Sequence, residues 1–166
     1  MSKTIKINPS FDSSTFLKKT WQQKPKLLKG FIQQCSGLIS PEELAGIACE
    51  EFLDARIVEC TYGNEVAPSW RLRNGAFQES DFTEMPESNW TLLVQSVDQV
   101  NEKIFKLRTL FNFIPRWRID DVMVSFAKPG GGVGPHFDNY DVFLVQGQGT
   151  RRWKIGQRCG YDSALV

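Results

Sequence analysis

Two helices are predicted from the pattern of apolar positions and from capping residues. Over 98–111, apolar residues recur at close to helical spacing. They are Val100, Ile104, Leu107 and Phe111. Ser40 offers an N-cap hydroxyl, Pro41 takes the first helical position, and Glu43 stands three residues after the cap, which makes a capping box. The sequence therefore predicts helices over 98–111 and 41–53.

Short strands are predicted elsewhere in the first half of the chain. Residues 11–34 begin amphipathic and end in a short apolar run, which indicates a helix, a turn and a short strand. Strand-forming residues at 56–61 and 70–72 flank a Gly63-Asn64 break, and Asn74-Gly75 is typical of a hairpin turn. This part of the chain is predicted to be mixed helix and antiparallel strand.

The later part of the chain changes to short β-rich runs. Residues 88–97 fit a strand or a helix by pattern, whereas 121–127, 140–146 and 150–155 are strand-like and separated by glycine-rich breaks. Such a meander is typical of sandwiches and small barrels. No repeat, low-complexity linker or second domain boundary interrupts it. The expected fold class is α+β in a single domain.

Composition narrows the possible functions. A chain of 166 residues, 41% hydrophobic, can bury a real core, and 20 basic against 19 acidic residues give no electrostatic case for a nucleic-acid partner. No stretch is long and apolar enough for a signal peptide or a membrane span, so a cytoplasmic protein is expected. The four cysteines lack metal-binding spacing and are expected to be reduced thiols.

The one histidine of the chain forms a His-x-Asp pair, His136 and Asp138. Alternation along a strand would place both side chains on one face, where they can share a cation, and would add Tyr140 to that face. Two histidines and one carboxylate are the ligands of non-haem Fe(II) oxygenases. A bare His-x-Asp triplet is more often a surface pair, and the second histidine is missing here.

The neighbouring motifs argue against a nucleotide-binding loop and suggest a site for a carboxylate. The glycine-rich run 129–135 lacks the Lys-Ser/Thr ending of a P-loop and the register of a dinucleotide loop, so a turn near a metal is the better interpretation. A three-histidine cupin site does not fit either. One of Arg151 and Arg152 would point into the sheet, where a guanidinium could hold a carboxylate of a small diacid. A solvated edge-strand charge is the alternative for this pair.

The stretch 117–156, WRIDDVMVSFAKPGGGVGPHFDNYDVFLVQGQGTRRWKIG, resembles the JmjC-type ribosomal oxygenases, cupin-like bacterial hydroxylases of a large-subunit ribosomal protein. Four segments occur in the order found in that family: WRIDD, the GGGVGPHxD loop, YDVF and QGxGxRRW. Upstream, FLKKTWQQKPKLLKGF, SPEELAG and NWTLLVQSVD are also similar to it, so the resemblance runs from about residue 11 to 157.

This resemblance implies an enzyme that uses Fe(II) and 2-oxoglutarate. His136 and Asp138 would be two of three iron ligands, Arg151 would hold the far carboxylate of 2-oxoglutarate, and Ser125 would be a second cosubstrate contact. The implied reaction hydroxylates an arginine side chain of a ribosomal protein while 2-oxoglutarate becomes succinate. Asp120 and Asp121 could meet a basic substrate loop, although aspartates at strand ends are more often turn formers.

The resemblance also implies an architecture. The expected domain, 1–166, has an α/β part over 1–114 and the first strands of a double-stranded β-helix over 115–157. Members of the family carry a later histidine ligand, further barrel strands and a dimerisation region. We therefore expect a jelly roll that is incomplete on its C-terminal side and inactive alone. A non-catalytic binding module is the alternative, and a partner chain that donates the missing histidine is a third possibility.

Overall fold

The computed structural model describes residues 4–62, 68–156 and 158–160. Its regular elements are four helices and six strands, with 3₁₀ turns at Val97–Gln99 and Arg116–Arg118. In chain order they are β1 (Lys6–Ile7), α1 (Ser13–Lys19), β2 (Ile32–Gln33), α2 (Pro41–Ile47), β3 (Ala55–Thr61), β4 (Ser69–Asn74), α3 (Glu79–Thr83), β5 (Trp90–Val94), α4 (Glu102–Thr109) and β6 (Val124–Ala127).

The main sheet is antiparallel and has the strand order β4-β3-β5-β6, while β1 and β2 form a separate two-stranded pair. The mixture of helices with antiparallel strands confirms the α+β class at this level. None of the described helices is long and apolar enough to cross a membrane.

Two apolar clusters hold these layers together. The main one joins the sheet to α2 and α4 through Ile57, Leu92, Leu44 and Ile104, which are 0–2% exposed. A second cluster forms where β1 and β2 meet the end of α4, and it gathers aromatic rings from distant parts of the chain. Those rings include Phe11, Phe31, Phe111, Phe113 and Phe143. The second cluster therefore ties the segment around Phe143 to the N-terminal elements.

Both predicted helices are present, and a capping side chain starts each of them, but their predicted bounds differ from the observed ones. Ser40 Oγ accepts from Glu43 N at 3.1 Å and starts α2, and Asn101 Oδ1 accepts from Ile104 N at 3.1 Å and starts α4. The prediction that the first of these helices continues to residue 53 is wrong. After Ile47 the backbone closes tighter three-residue turns, such as Glu50 N to Ile47 O at 3.1 Å, and then enters β3.

The predicted strands divide into two groups. Those at 56–61 and 70–72 are confirmed as β3 and β4, and the ambiguous stretch 88–97 contains β5. The Asn74-Gly75 hairpin turn is wrong, because Gly75 N continues the ladder to Ala55 O at 2.8 Å and helix α3 follows. The Gly63-Asn64 break lies outside the described residues.

The predicted strands over 140–146 and 150–155 are also wrong. Only Val124–Ala127 forms a strand in the described part of the chain after residue 115. A strand is held by hydrogen bonds to a neighbouring strand, and none of the described segments pairs with either stretch. Side-chain contacts hold the first of them instead. The ring of Phe143 stacks on Trp21 with 5.4 Å between centroids.

Candidate metal centre

The sheet has a helix-covered face and an opposite face that carries the candidate site. Ile57 and Leu92 belong to the first and lie in the main core. Because side chains alternate along a strand and paired residues share a face, the strand register assigns another set to the opposite face. This set, the site face, comprises Arg56, Val58, Cys60, Trp70, Leu72, Asn74, Thr91, Leu93, Ser125 and Ala127.

Arg151 and Ser125 meet on the site face. Arg151 Nη1 donates to Ser125 Oγ at 2.9 Å, although the two residues are 26 positions apart. The guanidinium also lies 5.9 Å from the ring centroid of Trp153. Burial lowers the pKa of Arg151 from its ordinary value, but a guanidinium stays charged at neutral pH. The result is a fixed, partly desolvated cation, while Arg152 is exposed.

His136 and Asp138 face each other beyond β6. His136 Nε2 lies 3.8 Å from Asp138 Oδ2, and both side chains are partly open to solvent, at 47% and 40% exposure. His136 Nδ1 lies 2.9 Å from the carbonyl oxygen of Gly134. A carbonyl only accepts, so Nδ1 carries a proton, and Nε2, on the side of Asp138, is the nitrogen that would bind a metal.

This pair fits a divalent cation. Two atoms that each bind one ion at about 2.1 Å can be at most about 4.2 Å apart, and the observed separation of 3.8 Å is within that limit. One imidazole nitrogen and one carboxylate oxygen are donors that Fe(II) accepts. Among the described residues, no group of three His, Cys, Asp or Glu side chains converges on a common point. The described chain thus offers two metal ligands.

The glycine loop, residues 129–135, carries His136 away from β6 and is held by neighbouring strands. Pro129 O accepts from Asn89 N at 2.8 Å, and Tyr62 Oη donates to Gly130 O at 3.3 Å. The expected turn is therefore present, but it is anchored along its length. No strand follows it, contrary to the prediction.

Replacing Gly131 with alanine is expected to displace this loop. A Cβ at Gly131 would lie 2.1 Å from the carbonyl oxygen of Trp90, which is backbone and cannot move aside easily. We expect a loss of roughly 1–3 kcal/mol in unfolding free energy, as for other overpacked sites. Urea denaturation followed by circular dichroism measures it.

Gly156→Ala is the matched control, because nothing lies within 4 Å of its added Cβ. Its effect is expected to stay within about 0.5 kcal/mol. Equal stabilities of the two variants would show that the close approach to Trp90 is not maintained in solution.

The remaining residues predicted for the site differ in their surroundings. Tyr140 is 71% exposed and Asp120 is exposed as well. Asp121 has a structural partner that the sequence did not indicate, because its Oδ2 accepts from Ser96 N at 2.6 Å and from Ser96 Oγ at 3.1 Å. This carboxylate therefore links the turn before β6 to Ser96.

Sequence reasoning missed the pair that holds the start of β6. The carboxylate of Asp98, 1% exposed, accepts from Arg108 Nη1 at 2.7 Å and from Val122 N at 2.8 Å. Arg108 Nη2 also donates to Ile119 O at 2.9 Å. Asp98 and Arg108 are ten residues apart, and Asp98 precedes α4 whereas Arg108 lies within it. This spacing matches no known sequence motif, so the sequence did not indicate the pair.

Comparison with known proteins places these features in a family. The JmjC domain matches residues 106–165. The chain is 45% identical over 143 residues to the ribosomal protein uL16 3-hydroxylase of Escherichia coli K12, covering 86% of this chain and 36% of that protein. It is 40% identical over 144 residues to the probable ribosomal oxygenase of Haemophilus influenzae, covering 87% and 34%.

Solved structures agree with the sequence comparison. The ribosomal oxygenase YcfD from E. coli, solved with cobalt and 2-oxoglutarate, superposes with a TM-score of 0.71 at 39% identity, over 81% of this chain and 35% of that one. A second structure of the same oxygenase superposes with a TM-score of 0.71 at 38% identity, over 82% of this chain and 35% of that one. The chain spans about a third of the length of these relatives. By sequence and by fold, the chain is similar over most of its length to bacterial ribosomal oxygenases, and its residues 106–165 match the JmjC domain.

Proposed function

We propose that the chain forms the cosubstrate-binding part of an Fe(II)- and 2-oxoglutarate-dependent oxygenase that hydroxylates a ribosomal protein side chain. Its strands β3 to β6 would be part of a double-stranded β-helix, with the site face as the inner wall. The proposal draws support from the uL16 3-hydroxylase of E. coli and from the cobalt and 2-oxoglutarate bound to its solved relative.

The observation that carries the proposal is the hydrogen bond between Arg151 and Ser125, at 2.9 Å. A charged guanidinium and a hydroxyl on one face, partly withdrawn from water, form a receptor for a carboxylate. The His136–Asp138 pair lies outside the end of the same sheet. The far carboxylate of 2-oxoglutarate would bind Arg151 and Ser125, while its keto-acid end would face the metal ligands.

The reaction consumes one molecule each of 2-oxoglutarate and dioxygen. One oxygen atom enters succinate, carbon dioxide leaves, and the other oxygen atom becomes the new hydroxyl group of the substrate. Bound Fe(II) supplies the activation of dioxygen. The residues of this chain would bind and orient the cosubstrate, and His136 and Asp138 would hold the metal through Nε2 and a carboxylate oxygen.

An arginine side chain is the substrate group that we propose. A guanidinium needs a carboxylate or an aromatic face at the mouth of the site. Asp120 and Tyr140 are exposed and remain the proposed substrate-facing residues. Asp121 is a weaker candidate because Ser96 already occupies its carboxylate.

The third metal ligand would come from polypeptide outside these 166 residues, because the sequence contains one histidine. Loss of a ligand should weaken iron binding strongly. We therefore expect very slow turnover by these 166 residues alone.

The test is turnover of a uL16-derived peptide, followed by succinate release and by the gain of one oxygen atom in the mass spectrum. The chain is assayed alone and fused to the continuation found in the E. coli relative. We expect turnover in the fusion and its loss in His136→Ala. A fusion that binds the peptide equally well with a chelator or with His136→Ala, and turns nothing over, would support the non-catalytic binding module instead.

A further inference from the structure

The glycine loop reaches across the end of the sheet before it delivers His136. It leaves β6 at one edge, passes Asn89 and Trp90 at the start of β5, and meets Trp70 on β4, the opposite edge strand. The position of His136 is therefore set by contacts with strands that are distant from it in sequence. Trp70 is the last of these contacts before the metal ligand.

The indole of Trp70 lies next to the loop at Gly132 and Gly134. A Cβ added at Gly134 would lie 3.1–3.3 Å from three atoms of the indole, and one added at Gly132 would lie 3.6 Å from the ring. Gly134 also has a φ of +74°, a conformation that other residues rarely adopt. The indole and the backbone of the loop are in direct contact.

Gly134 connects this contact to the metal ligand. Its carbonyl oxygen accepts from Nδ1 of His136 at 2.9 Å, which fixes both the orientation of the imidazole and the position of its proton. The path from the indole to Nε2 therefore runs through one glycine and one hydrogen bond. A shift of Gly134 would move the carbonyl that holds the ring.

We propose that Trp70 is a positioning residue for the metal ligand His136, acting through Gly134. Trp70 is 38% exposed, so it is not simply a core residue. Hydrogen-bonding partners of metal-binding histidines typically change metal affinity by about 10- to 100-fold when removed. This inference rests on the proposed metal site and adds a residue outside the His-x-Asp motif to it.

The experiment compares Trp70→Ala and Trp70→Phe with Trp117→Ala, a control that removes an 85% exposed tryptophan. Because the chain has one histidine, ¹⁵N labelling gives a single pair of imidazole nitrogen signals without further assignment. The first readout is the tautomer of His136 in metal-free protein at a pH where the ring is neutral. The second is the affinity for Zn²⁺ measured from the same signals.

In the wild type and in Trp117→Ala we expect the Nδ1–H tautomer. In Trp70→Ala we expect a mixture of tautomers and Zn²⁺ binding weakened by about 10-fold or more. Trp70→Phe keeps a ring and should show the same changes to a smaller extent, which preserves the test if the alanine variant does not fold. An unchanged tautomer and unchanged Zn²⁺ affinity in a folded Trp70 variant would overturn the proposal.

Failure of the metal site and failure of the Trp70 role are distinguishable. If His136→Ala binds Zn²⁺ as tightly as the wild type does, the proposed metal site is wrong. The tautomer in the metal-free variants still decides whether Trp70 positions His136.

Discussion

Replacing Arg151 with methionine is expected to weaken 2-oxoglutarate binding by about 100-fold, which corresponds to roughly 2.7 kcal/mol. Methionine keeps an unbranched apolar stem but removes the charged donors that would hold the far carboxylate. A hydrogen bond to a charged group contributes about 1.5–3 kcal/mol, so the loss of a fixed guanidinium accounts for this size. Calorimetric titration with Fe(II) under nitrogen measures it.

Two controls make this result specific. Arg152→Met changes the neighbouring, exposed arginine and should leave the affinity for 2-oxoglutarate unchanged. A keto acid without the far carboxylate, such as 2-oxobutyrate, should bind Arg151→Met and the wild type equally. Equal weakening by both arginine variants would mean that general charge, and not the Arg151–Ser125 pair, attracts the cosubstrate.

Replacing Asp98 with alanine is expected to lower the free energy of unfolding by about 3–5 kcal/mol, as when one partner of a buried ion pair is removed. The carboxylate is 1% exposed, and without it Arg108 Nη1 and the amide of Val122 lose their acceptor. Urea denaturation monitored by circular dichroism gives the value.

The matched control is the exposed pair of Glu102 and Lys106 on α4, whose atoms lie 2.7 Å apart. Glu102→Ala should leave the free energy of unfolding close to that of the wild type, because water screens an exposed i, i+4 pair. If Asp98→Ala were as mild as this control, the pair could not be what holds the start of β6.

Asp98 also has a consequence for the site. Val122 lies two residues before β6, and β6 carries Ser125, so loss of the Asp98 acceptor should loosen the strand that presents the cosubstrate contact. Stability and cosubstrate binding are therefore expected to fall together in Asp98→Ala. In Arg151→Met only binding should fall.

The sequence was informative where the signal is local or chemically specific. Ser40 starts a helix because its hydroxyl accepts a backbone amide three residues on, which needs no information from elsewhere in the chain. Arg151 and Ser125 were expected to share a ligand from the family resemblance, and the structure brings them to hydrogen-bond distance. Their role in binding 2-oxoglutarate remains a proposal.

Interactions between distant segments were beyond the sequence pattern. Residues 140–146 alternate like a strand, yet Phe143 leaves that pattern to pack on Trp21 and Phe111. Alternation of apolar and polar residues is compatible with a strand, but a strand forms only where a neighbouring segment pairs with it through hydrogen bonds. The contact between Trp70 and Gly134 was likewise unpredictable, because it depends on a loop that runs from β6 past β5 to the opposite edge strand β4.

The central claim is that His136, Asp138, Arg151 and Ser125 form one site for Fe(II) and 2-oxoglutarate. Equilibrium dialysis under nitrogen tests it directly, by measuring Fe(II) retained by the protein with and without 2-oxoglutarate. A keto acid that chelates the metal would bind more tightly when the metal is present, and by linkage it would raise the affinity for the metal by the same factor. We predict that 2-oxoglutarate increases Fe(II) retention, and that His136→Ala and Arg151→Met both abolish the increase. Retention that is indifferent to 2-oxoglutarate, or unchanged by His136→Ala, would contradict the account.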